Sequence, residues 1–198
     1  MNMKWFFIIL TALLCCMFPA YADGALPPAV ADALSPAIVA SSACWEDEGG
    51  ITWFVLTEDD IRTLHCFSVS DGSCTESLRT DGAVPQGGGQ VRLIVTDGVW
   101  SFVEGESWLP GPILLILQYD ADGQSVWRRI AFRREGGVWR LHSLLDSEIG
   151  IDLSIADGMA IRRVPADNGQ TVVAATGPCT FDTDLRTMRL TDVPLMIP

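Results

Sequence analysis

Lysine is nearly missing from this chain. Of its 13 lysines and arginines, only Lys4 is a lysine. Beyond that position the sequence offers no Schiff-base amine, no Ser-x-x-Lys nucleophile and no phosphate-binding P-loop. Histidine is scarce too: His65 and His142 are the only two. Two histidines cannot build a three-histidine metal site, and a histidine-containing catalytic triad must use one or the other. No G-x-S-x-G elbow, no H-E-x-x-H and no C-x-x-C occurs, which removes the α/β-hydrolase nucleophile, the zincin helix and the closely spaced thiol pair. After the N-terminus no apolar run approaches the roughly 20 residues that cross a bilayer as a helix.

The N-terminus itself has an apolar run. Met1-Asn2-Met3-Lys4 leads into residues 5–18, which are almost wholly apolar and end at Pro19-Ala20-Tyr21-Ala22. One positive charge, an apolar stretch short of a comfortable membrane span and an A-x-A site form a cleavable secretory signal, with the mature chain starting at Asp23. A retained anchor is the competing reading, and the small-residue cleavage site argues against it. A lipoprotein fits poorly, because Leu14 precedes Cys15. The expected location is the periplasm or the exterior.

Removal of residues 1–22 takes the only lysine and leaves all 25 acidic residues. The remainder is one unit more negative than the whole chain's −12, so it repels nucleic acid and anionic surfaces. Removal also takes Cys15 and Cys16. Cys44, Cys66, Cys74 and Cys179 are left, an even number that in an exported chain reads as two disulfides. Cys66–Cys74 with Cys44–Cys179 is the favoured pairing, and Cys44–Cys66 with Cys74–Cys179 is close behind. No metal and no cofactor is expected.

Residues 23–43 form an Ala/Pro-rich arm, with a helix near 29–34 and a second near 37–42, broken by Pro36. Residues 44–198 read as a single β-rich domain. Asp-Gly recurs at 71–72, 81–82, 97–98, 122–123 and 157–158, and Gly136-Gly137 follows Glu135. These pairs supply the positive φ angles of tight hairpin turns and lie between alternating or β-branched runs. About ten short strands at even spacing predict an all-β fold, an antiparallel sandwich or barrel with a short N-terminal helical segment.

The hairpin 126–145 holds five arginines, at 128, 129, 133, 134 and 140. Period-2 alternation puts Ile130, Phe132, Trp139 and Leu141 on a core face and Arg129, Arg133, Arg140 and His142 on the other. Such a face suits an anionic ligand or an acidic protein partner, because guanidinium groups bind carboxylate and phosphate bidentately. The opposing account is internal neutralisation by neighbouring carboxylates, with Arg134 lying along Trp139. Trp127 shares the parity of Arg129, and Trp108 falls in a Pro/Gly loop; both are candidate contacts. Asp59/Asp60, Asp120/Asp122 and Asp182/Asp184 are paired carboxylates that read as acid/base or calcium groups, or as solvated turns.

The function these features point to is an exported soluble binding protein of envelope-associated, inhibitor or immunity type. It acts by binding rather than catalysis, through Arg129, Arg133, Arg140, His142, Trp127 and Trp108. The alternatives are a carboxylate-dependent hydrolase, or a structural or secretion accessory protein with an apolar edge at Val193–Pro198.

Overall fold

The computed structural model describes residues 25–84, 88–101, 107–147, 150–166 and 170–188. Residues 1–22, the expected leader, and the Val193–Pro198 segment lie outside them.

The chain opens with one short helix, α1 (Pro28–Leu34). Pro27 and Pro28 set its start, since proline's fixed φ suits the first helical turn. Val30 and Leu34, one helical turn apart, form its buried face. Eleven strands follow: β1 (Val39–Asp47), β2 (Gly50–Glu58), β3 (Arg62–Ser70), β4 (Ser73–Asp81), β5 (Val91–Ser101), β6 (Ser107–Tyr119), β7 (Val126–Glu135), β8 (Val138–Asp146), β9 (Ile151–Ala156), β10 (Met159–Pro165) and β11 (Thr171–Pro178). Every pairing is between chain neighbours and antiparallel. β1–β4 form one sheet and β5–β11 a second, so the expected all-β sandwich with a small N-terminal helix is the fold. The two sheets are tied at one edge, where the Leu93 amide donates to Ser41 Oγ at 2.9 Å.

The main core lies between the sheets. Phe54, Leu56 and Leu64 from the first meet Leu93, Leu114, Ile116, Ile130, Phe132, Leu141, Leu144 and Leu153 from the second. Trp139 meets Phe54 edge-on at 5.1 Å and Trp45 at 6.0 Å. A smaller core on the far face of the four-stranded sheet packs Val30 and Leu34 of α1 against Trp53, Val55 and Phe67. The order of layers is thus helix, four strands, seven strands.

Local chemistry places several of the turns. Asp71-Gly72, Gly136-Gly137 and Asp157-Gly158 all have positive φ at both positions, the requirement of a type I′ hairpin. Asp97-Gly98 departs from this expectation. β5 runs straight through it, and the pair forms a bulge opposite β6. β6 likewise runs through Pro110-Gly111-Pro112, so the expected loop around Trp108 is strand, with Trp108 opposite Trp100. The segment 37–42 is not helical either. It enters β1, where Ala43 is buried in the main core and 41–47 pair with β2. Pairing with β2 satisfies the backbone there, whereas a helix so short after Pro36 would gain few hydrogen bonds for its nucleation cost. Residues 185–188 form no strand, and Asp184 makes an isolated bridge to Arg140.

The four cysteines are free thiols, and the sheet explains why neither expected pairing forms. Cys44 and Cys74 pack in the helix-side core, whereas Cys66 and Cys179 pack in the core between the sheets. Both expected pairings therefore cross a sheet. The third, Cys44–Cys74 with Cys66–Cys179, keeps partners on common sides. It fails because Cys44 and Cys74 sit on opposite edge strands, about 14 Å apart at the usual strand spacing and far beyond the reach of a disulfide.

Candidate functional site

The arginine hairpin is β7 and β8, in the interior of the seven-stranded sheet. Phe132 pairs with Leu141 and Ile130 with Leu144 on the core side, while Arg133 faces Arg140 across the strands on the other side. The register slips once, so that Ala131 lies opposite Ser143 and His142 is the extra residue of a bulge. The bulge keeps His142 with the arginines and moves the next core residue from 143 to Leu144. Beyond the hairpin the same face is continued by rows of cross-strand partners. One runs Arg92, Leu117, Arg129, Leu145, Asp152, Arg163; another runs Thr96, Ile113, Arg133, Arg140. Arg92 and Arg163 are members the sequence did not reveal. Their alternation was visible, but which strands lie beside β7 and β8 was not.

Neutralisation on this face is incomplete. Arg133 donates to the Pro110 carbonyl at 3.3 Å and has Glu135 at 3.6 Å. Arg163 donates to Ser154 Oγ at 2.9 Å, with Asp152 at 3.6 Å. Arg129 has no ion pair among the described residues, and its buried Nε has no hydrogen-bond partner. Arg140 is exposed and makes no close ion pair among the described residues, although its charge acts on the Asp182 carboxyl. His142 is held below the ordinary histidine value, first by burial and then by the charges of Arg133 and Arg129, against the pull of Glu135. Its ring bonds the Ile155 backbone. A cleft of about 380 Å³ opens beside it, lined among others by Arg140, His142, Asp157, Cys179 and Phe181.

Trp127 and Arg134 are not part of this face. Trp127 occupies a second bulge, opposite the step from Gln118 to Tyr119. Its indole N–H donates to the Tyr119 carbonyl at 2.8 Å, and both the ring and the Gln118 amide lie close against Gly88, with Arg128 over the ring at 5.3 Å. Gln118 and Arg128 are cross-strand partners on the core side, so the bulge takes Trp127 away from Arg129. The Trp108 side chain lies outside the described residues. Arg134 lies over Trp45 at 4.0 Å rather than Trp139 and is bonded to Asp47, whose carboxyl it holds below the usual range.

The paired carboxylates accept from backbone amides, mostly of their own turns, while Asp59 reaches the segment that enters β1. Asp120 accepts from the amides of Gln124 and Ser125, Asp59 from Ile38, Asp182 from Asp184 and Asp184 from Arg186. Among the described residues no cluster of metal-ligating side chains forms, and no helix is long and apolar enough to cross a membrane. Comparison with protein-family models, curated proteins and solved structures finds no match.

Proposed function

We propose that this chain is an exported binding protein of the cell envelope that takes an acidic partner, an acidic protein segment or a small anion, on the arginine face of the seven-stranded sheet. The observation that carries this reading is the direct cross-strand pair Arg133–Arg140. Residues so placed have Cβ atoms about 5 Å apart, and like charges there are destabilising. In a chain with 25 acidic residues, carboxylates are abundant, yet among the described residues Arg133 has only Glu135, at 3.6 Å, and Arg140 acts on Asp182 without a close bridge. A bound carboxylate or phosphate, gripped by both guanidinium groups, relieves the repulsion. Unpaired Arg129 extends the surface along β7, and the cleft beside His142 admits a small anion at its end.

The test is affinity capture from the envelope fraction with the wild-type chain and with Arg129→Glu/Arg133→Glu. The wild type should retain a partner whose binding weakens as salt rises, and the variant should lose it. Identical partners captured by both proteins would sink the assignment of this surface.

A further inference from the structure

On the other sheet, away from the arginine face, three adjacent strands bring together a hydroxyl, an imidazole and a carboxylate. Thr57 Oγ1 on β2 lies 3.2 Å from His65 Nε2 on β3, and His65 Nδ1 lies 2.6 Å from Glu76 Oε1 on β4. Thr57 and His65 are 3 % and 7 % exposed. The imidazole stacks on Phe67, with planes 13° apart, which fixes its orientation. Glu76, an acceptor when ionised, holds the proton of a neutral ring on Nδ1. Nε2 is then left as the acceptor facing the Thr57 hydroxyl. Nucleophile, base and orienting carboxylate stand in the order of a hydrolytic triad.

The surroundings set this group apart from an ordinary buried histidine. Trp53, Val55 and Phe67 on the same face are covered by α1. Where the helix ends, a cleft of about 490 Å³ opens, lined among others by Leu34, Pro36, Asp60, Thr57, His65 and Arg79. Its size falls in the range of small-molecule sites. Arg79 is the direct cross-strand partner of His65, and Asp81 accepts from its Nε at 3.0 Å. The cleft therefore holds a hydroxyl facing a base, with the largely exposed, Asp81-paired Arg79 beside them.

We propose that Thr57, His65 and Glu76 form a nucleophilic relay that hydrolyses small carboxylic esters in this cleft, with Arg79 facing the developing oxyanion. Thr57 Oγ adds to the ester carbonyl carbon while its proton passes to His65 Nε2, and the carbonyl π pair becomes the oxyanion. Collapse breaks the bond to the alcohol oxygen, which leaves with the proton from Nε2. Water, deprotonated by Nε2 in the same way, cleaves the acyl-threonine to the free acid and restores Thr57. The sum is ester plus water to acid plus alcohol, with no redox partner. Glu76 is a positioning residue acting through the imidazole.

The test uses the purified chain with p-nitrophenyl acetate and butyrate. Hydrolysis should exceed the buffer blank, survive in Thr57→Ser and fall to background in Thr57→Val and His65→Gln. Glu76→Gln should lower kcat by about 10²-fold or more with KM little changed. Because Thr57 is buried, thermal melts accompany each variant. Independently of folding, acyl-enzyme trapped from the wild type by acid quench should carry its added mass on the peptide containing Thr57. Absence of hydrolysis in the wild type, undiminished activity in a folded Thr57→Val, or the adduct on another residue would overturn the proposal.

Discussion

Single residues decide how charge is held in this sandwich. Arg128 and Asp146 form an ion pair at 2.7 Å on the core side of β7 and β8, with Asp146 only 1 % exposed. Arg128→Ala removes this ion pair from a buried carboxylate and should cost about 3 kcal/mol in denaturant unfolding, far more than Arg79→Ala at the surface. His142 makes a second prediction. Burial, with Arg133 and Arg129, holds it below 6.5 when folded. As pH falls through that value, the unfolded chain takes up a proton that the folded chain resists, and stability is lost. Urea unfolding at pH 7.5 and 5.5 should show a larger loss for the wild type than for His142→Gln. Equal losses would mean that His142 does not report the charge of this face. The arginine and carboxylate types were legible in the sequence. That Arg134 would choose Trp45 and Asp47 over its cross-strand neighbour Trp139 was not, because β1 and β7 belong to different sheets.

At the scale of elements, turn chemistry was read from the sequence most reliably where two residues suffice. Asp157-Gly158 closes a hairpin by its own backbone preference. Asp97-Gly98 has the same composition and becomes a bulge, because the strand on either side gains ladder bonds to β6. Bulges also separate the candidate residues. The one at His142 keeps it beside the arginines, and the one at Trp127 turns that ring away from Arg129. Two glycines distinguish backbone conformation from close packing. Gly158 has φ +73° and open space around it, so Gly158→Ala should cost about 1–2 kcal/mol from conformation alone. At Gly89 a Cβ would lie 1.8 Å from the Asp120 carbonyl oxygen. Gly89→Ala must displace backbone and should cost upwards of about 3 kcal/mol. Thermal melts of the two variants check the order.

For the whole molecule, export and thiol state can be read in one measurement. Intact mass of the protein recovered from the envelope fraction and alkylated after unfolding without reductant should fit a chain starting at Asp23 with four alkylated thiols. A mass retaining residues 5–18 would contradict the expected cleavage. Two or four unmodified cysteines would show that sulfurs placed on different sides of a sheet had nevertheless been joined. The layered architecture also keeps the two proposed sites apart: the arginine face lies on the outside of the seven-stranded sheet, and the Thr57 relay lies on the helix side of the four-stranded one.

The sequence alone determined the all-β class, the short helix, four of the hairpin turns and the concentration of arginine in one hairpin of an acidic chain. Each follows from local backbone preference or from composition, which need no knowledge of distant neighbours. The tertiary structure decided which strands are adjacent, on which side of a sheet each cysteine lies, and that Thr57, His65 and Glu76 meet. Those outcomes depend on register, and one bulge is enough to change the face a side chain takes.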